Sequence, residues 1–113
     1  MSKYQVRITR HAYRQLEEIL QYIEWELMAP DAAKQVLLSI RKQAASLEDL
    51  PARFPLLENE KWNQKGIRKV PVKNFILYYW INEAEHTVQI IAVLADRMDQ
   101  LQYLTSAWSR RND

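Results

Sequence analysis

Gly66-Ile67-Arg68-Lys69-Val70-Pro71-Val72-Lys73-Asn74-Phe75-Ile76-Leu77-Tyr78-Tyr79-Trp80-Ile81 is the stretch that decides the fold. Two apolar runs, Ile67 to Val72 and Phe75 to Ile81, are separated only by Lys73-Asn74, and a third, Thr87 to Ala95, follows after Asn82-Glu83-Ala84-Glu85-His86. Separators this short leave no room for a crossover helix, so neighbouring runs are expected to pair as antiparallel hairpins. Phe75 to Ile81 and Val88 to Ala95 are apolar at both parities, the pattern of central strands covered on one face and at least partly on the other. Tyr78, Tyr79 and Trp80 therefore read as core, with base stacking as the sharper alternative. Gly66, the only glycine, marks the strand entry where the backbone needs freedom.

Working outward, Tyr4, Val6 and Ile8 alternate with Lys3, Gln5 and Arg7, which predicts a strand with one buried face. Thr9 reads as a helix N-cap. Ala12, Leu16, Ile19, Leu20, Ile23 and Leu27 then form an apolar stripe on a helix of about five turns. Met28-Ala29-Pro30-Asp31 breaks that helix and starts a second, with Pro30 in the first turn and the stripe Ala33, Val36, Leu37, Ile40, Ala44 and Leu47. The two stripes pack most simply as an αα-hairpin against a sheet. Residues 51–65 read as a loop with one helical turn. Asp99 is the expected cap of a last helix carrying Leu101, Leu104 and Trp108, and residues 109–113 are expected to fray. The prediction is a single α+β domain over residues 1–108, ordered β-α-α-β-β-β-α, with a helical hairpin on a mainly antiparallel four-stranded sheet.

Composition removes several chemistries. The chain has 113 residues, 48% of them apolar, enough for a core without disulfides. One glycine cannot build a GxGxxG turn or a P-loop. Without cysteine, and with only His11 and His86, thiol nucleophiles and zinc sites fall away, so no metal and no cofactor is expected. The serines lack the context of a nucleophile elbow. Net charge is +2: residues 1–65 carry ten cations and nine anions, residues 66–113 six and five, so nucleic acid is approachable only through a local patch. No run reaches the roughly 18 apolar residues of a membrane span and no signal-peptide core is present, which predicts a cytoplasmic chain with no membrane partner.

Taken in order, Ile8-Thr9, Ala12 to Tyr22, Pro30 with Ala32-Ala33, Leu47 to Pro51, Gly66 to Val70, Asn74 to Tyr79, Thr87 to Val93 and Arg97-Met98-Asp99 resemble the RelE/ParE superfamily of bacterial type II toxins. The resemblance implies a growth-arresting toxin neutralised by a cognate antitoxin, as a homodimer or a toxin–antitoxin hetero-oligomer. RelE-like members cleave messenger RNA on the ribosome, whereas ParE-like members poison DNA gyrase. Arg97 and Tyr103 match an arginine and a tyrosine of the nucleases, and Lys69 falls near a lysine. Ile76 and Pro71, however, stand where those nucleases carry basic residues. The Pro30-Asp31-Ala32-Ala33 turn, the Arg97-Met98-Asp99 ending and the low net charge look more like ParE, which makes gyrase inhibition the leading expectation. If the chain is instead a metal-independent endoribonuclease, Arg68 and Arg97 stabilise the phosphorane and Tyr103 assists proton transfer. A third possibility is a non-toxic, partner-binding family member. Target binding is expected from Arg68, Lys69, Lys73 and Arg97, and antitoxin binding from Leu101, Leu104 and Trp108. The plainer alternatives are an ion pair of Arg68 with Glu48 or Glu58, one of Arg97 with Asp96 or Asp99, and a core-covering role for the last helix.

Overall fold

A computed structural model of the protein describes residues 3–97 and 100–113. It contains β1 (Gln5–Ile8), α1 (Arg10–Gln21), α2 (Pro30–Ser46), α3 (Glu60–Gln64), β2 (Ile67–Val72), β3 (Phe75–Asn82), β4 (Thr87–Ala95) and α4 (Leu101–Ser109). The strands form one sheet in the order β1-β4-β3-β2. β2–β3 and β3–β4 are antiparallel, and β1 lies parallel to β4 with Ile8 opposite Ile90. The α+β class, the mainly antiparallel sheet and, apart from the short α3, the element order are those expected from the sequence.

Local signals act as read. The Thr9 hydroxyl accepts from the Ala12 amide at 3.0 Å and so satisfies one orphan donor at the start of α1. Pro30 opens α2, where its missing N–H costs nothing. Gly66 sits at φ +81°, and Lys73 takes the left-handed conformation at φ +54° in the two-residue β2–β3 turn.

Both faces of the sheet are covered. Ala12, Leu16 and Ile23 of the first helix, Ala33, Val36 and Ile40 of α2, and Leu47 pack on Val70, Val72, Leu77, Tyr79, Val88, Ile90 and Val93. On the other face, Leu57, Trp62, Leu104 and Ala107 cover Ile67, Tyr78, Ile91 and Ala92. The sequence left that second cover partial; α3 and α4 supply it. The register shifts between Tyr78, opposite Ala92, and Tyr79, opposite Ile90. Ile91 is the extra residue of a β-bulge, and it turns the later part of β4 without exposing an apolar side chain.

Three expectations need correction. The α1 stripe was continued to Leu27, but Tyr22–Glu26 is a π-helical turn in which the Leu27 amide donates to the Tyr22 carbonyl at 3.1 Å. That extra residue per turn rotates Leu27 outward, to 55% exposure. Ile8 is 39% exposed, because β1 is an edge strand whose end is poorly covered. Within residues 51–65 the expected helical turn is α3, but the remainder is more ordered than a loop: Pro51–Arg53 is a 3₁₀ turn and Leu56 bridges to Arg68. The expected cap Asp99 lies outside the described residues, and Gln100 occupies the cap position without a side-chain bond to the helix. Near the C-terminus the Arg111 carbonyl accepts from Gln89 Nε2 at 2.7 Å and the Arg111 guanidinium lies 3.8 Å over the Trp108 ring.

Tyr79 is fully buried and its hydroxyl donates to the Pro51 carbonyl at 2.6 Å, fastening the 3₁₀ turn to the sheet. Burial disfavours the phenolate and pushes this group from 10.0 up to about 12, against the opposing pull of Arg68 and Arg53. A folded-state value above the unfolded one contributes stability that is intact below pH 10 and lost as pH rises through about 12. Tyr79→Phe is expected to cost about 1–3 kcal/mol at pH 7, because the Pro51 carbonyl loses its donor. The loss of stability between pH 10 and 12 should be smaller in this variant than in the parent, as measured by urea melts at both pH values.

Candidate functional site

The segment 55–59 reaches its position because it continues the sheet past β2: the Leu57 amide donates to the Ile67 carbonyl at 3.0 Å. It thereby walls a cleft of about 440 Å³. Lys69, Ile76 and Tyr78 lie on the sheet side of the cleft, and Asp96, Gln100 and Leu101 close it opposite Glu58 and Asn59. The Asp96 amide donates to the Asn74 carbonyl at 2.7 Å, so the β2–β3 turn and the end of β4 are tied together. The Tyr78 hydroxyl donates to Gln100 Oε1 at 2.6 Å in a buried bond that fixes the entry to α4.

The expected site residues do not all converge. Arg68 and Lys69 are neighbours in a strand and so point to opposite faces. Lys69 lines the cleft, while Arg68 turns to the helical face, where Nη1 donates to the carbonyls of Ala52 at 3.1 Å and Phe54 at 2.6 Å. Its partners are therefore backbone oxygens, not Glu48 or Glu58. Arg97 follows Asp96 at the cleft rim; it is exposed, with no side-chain hydrogen bond or ion pair among the described residues. Lys73 is exposed in the turn tied to Asp96. Tyr103 is 52% exposed on the outer side of α4. Leu104 is fully buried, and Leu101 and Trp108 pack on the same cluster, so all three belong to the seat of α4 on the sheet.

Chemically, the cleft offers one cation, Lys69, two carboxylates, Glu58 and Asp96, and an apolar floor at Ile76. Among the described residues no three His, Asp or Glu side chains converge as a metal site. The sequence reading gave Asp96 and Glu58 only as ion-pair candidates and did not place Gln100 or the 55–59 segment at a site; a hairpin register pairing Lys69 with Tyr78 is the signal that could have pointed to this wall.

A family model described as the ParE toxin of the type II toxin–antitoxin system parDE matches residues 6–100. The chain belongs to the ParE toxin family. That span takes in β2, β3 and β4 whole and β1 from Val6 onward, and it ends at Gln100, in the lining of the cleft. Solved relatives share the fold. A chain of the chromosomal ParDE toxin–antitoxin system of P. aeruginosa superposes with a TM-score of 0.68 at 18% identity, over 84% of this chain and 98% of that one. A chain of the RelBE2 toxin–antitoxin complex of Mycobacterium tuberculosis gives 0.59 at 23% identity, over 82% and 98%. The free E. coli toxin RelE, as a double arginine-to-alanine mutant, gives 0.53 at 15% identity, over 96% and 94%. No curated protein matches the sequence. No helix among the described residues is long and apolar enough to cross a membrane.

Arg68→Ala removes the donor shared by two carbonyls and is expected to cost about 1–3 kcal/mol, whereas Lys69→Ala, at an exposed position, should stay within about 0.5 kcal/mol of the parent. Chemical denaturation of both variants checks the assignment of Arg68 to structure and Lys69 to the cleft.

Proposed function

We propose that this ParE-family toxin arrests growth by inhibiting DNA gyrase in the cytoplasm, and that its cleft rim binds the target without cleaving RNA. The observation that supports the reading is the division of Arg68 from Lys69. Cleavage of RNA through its 2′-hydroxyl requires several cations around one phosphorane and a group free to move a proton. Arg68 is spent on the far face, Ile76 and Pro71 bring no charge, and the Tyr78 hydroxyl is committed to Gln100. Lys69, Lys73 and Arg97 remain at one end of the sheet as exposed cations, suited to docking on a protein or nucleoprotein surface. Family membership supports a cognate antitoxin as the second partner. While α4 is seated, Leu104 offers such a partner no surface.

Induction in bacteria followed by pulse labelling tests the reading: DNA synthesis should fall first and protein synthesis later. Arg97→Ala should fold normally yet weaken growth arrest by about tenfold or more, the loss expected of one charge-assisted contact. Protein synthesis failing first would favour the RelE-like reading, and undisturbed growth at good expression would favour a non-toxic binding role.

A further inference from the structure

The charge that is balanced along the sequence is segregated in space. Residues 15–33 carry Glu17, Glu18, Glu24, Glu26 and Asp31 with no cation, and they run from the middle of α1 around the far end of the helical hairpin into α2. At the other end, six of the 16 Lys and Arg side chains gather: Arg7, Arg10, Arg14, Lys65, Arg110 and Arg111. Interactions link five of them, and Arg10 lies one turn before Arg14 on α1. Arg7 is the β1 partner of Gln89, whose amide holds the Arg111 carbonyl at 2.7 Å. Arg111 and Lys65 both lie over the Trp108 ring, at 3.8 and 5.3 Å. His11, in the first turn of α1, feels both Arg14 and Arg110 strongly enough that they add to its burial in lowering its pKa; Asp113 and Glu18 are the carboxylates that oppose them.

Folding does not reward this arrangement. Cations in the first turns of α1 and carboxylates towards its end both oppose the helix dipole, and the first turn of α1 holds no acidic residue. A charge pattern that works against its own helix calls for an external partner of opposite sign.

We propose that this stripe binds the phosphate backbone of duplex DNA without reading its sequence. Its cations are arginines and a lysine, and Arg7, Arg10, Arg14, Lys65 and Arg110 are exposed. The two indoles beside them are not open to bases: Trp108 is covered by Arg111 and meets Trp80 edge to face at 5.5 Å. Single strands, which bind by stacking on a succession of free aromatic faces, find only the exposed Tyr13 between Arg10 and Arg14, whereas backbone phosphates need only the cations. The proposal stands apart from the gyrase reading, since it concerns another end of the molecule and a direct contact with DNA.

Fluorescence anisotropy of the full chain with a labelled 20-base-pair duplex tests it. Four phosphate contacts give a log–log salt slope of about −3.6, so affinity should fall roughly 100-fold between 50 and 200 mM salt. Arg14→Ala with Arg110→Ala, both exposed and both outside the cleft, should reduce the slope by about two. Lys34→Ala with Lys42→Ala on α2 makes the same change in net charge and should leave the slope alone, with thermal melts confirming that each variant is folded. No binding at 50 mM salt, an equal loss in the α2 variant, or tighter binding of a 20-nucleotide single strand would each overturn the proposal.

Discussion

The β-bulge at Ile91 is the constraint on which the remaining structure depends. β3 and β4 are apolar at both parities, and a regular ladder would carry one alternation from end to end. The extra residue lets Val88 and Ile90 face the helical hairpin while Ile91 and Ala92 both enter the cluster under α4, after which Val93 returns to the hairpin side. One strand pair thus supports two cores. Every burial of an apolar side chain on either face contributes on the order of 1.5–3 kcal/mol, so the register of this pair is strongly specified.

That register also distributes the chemistry. Tyr79 points to the Pro51 turn and Tyr78 to Gln100, and across the ladder Arg68 follows Tyr79 while Lys69 follows Tyr78. Arg68 and Lys69, consecutive in the chain, are set on opposite faces by the sheet itself. What remains on the α4 side is a small cleft with one lysine and an exposed arginine at its rim. A surface of that kind suits recognition of a partner better than stabilisation of a phosphorane, and that supports the proposed reading.

Much of the fold was legible because it is written in local patterns. Thr9, Pro30 and the Lys73-Asn74 turn lie where backbone chemistry needs them, and the three C-terminal strands fall within a residue of their apolar runs. The π-helical turn was not legible, because the stripe keeps its three-and-four spacing through Leu27 while the hydrogen bonds skip a residue. The partners of Arg68 were missed for a different reason: carbonyl oxygens carry no side-chain signature, and those of Ala52 and Phe54 come from a segment that periodicity cannot place. The charge pattern hid in the same way. Counting along the chain gives near balance, yet the length of α1 carries Arg10 and Arg14 to one end and Glu24 and Glu26 to the other.

Gyrase docking through the cleft rim, as proposed, is separable in vitro from cleavage of RNA. Its most direct measurement uses the purified chain in two parallel reactions: ATP-driven supercoiling of relaxed plasmid by gyrase, and primer extension on messenger RNA in translating ribosomes. Docking on gyrase should give dose-dependent loss of supercoiling and uncut message at the same concentrations; A-site cleavage with supercoiling intact would contradict it.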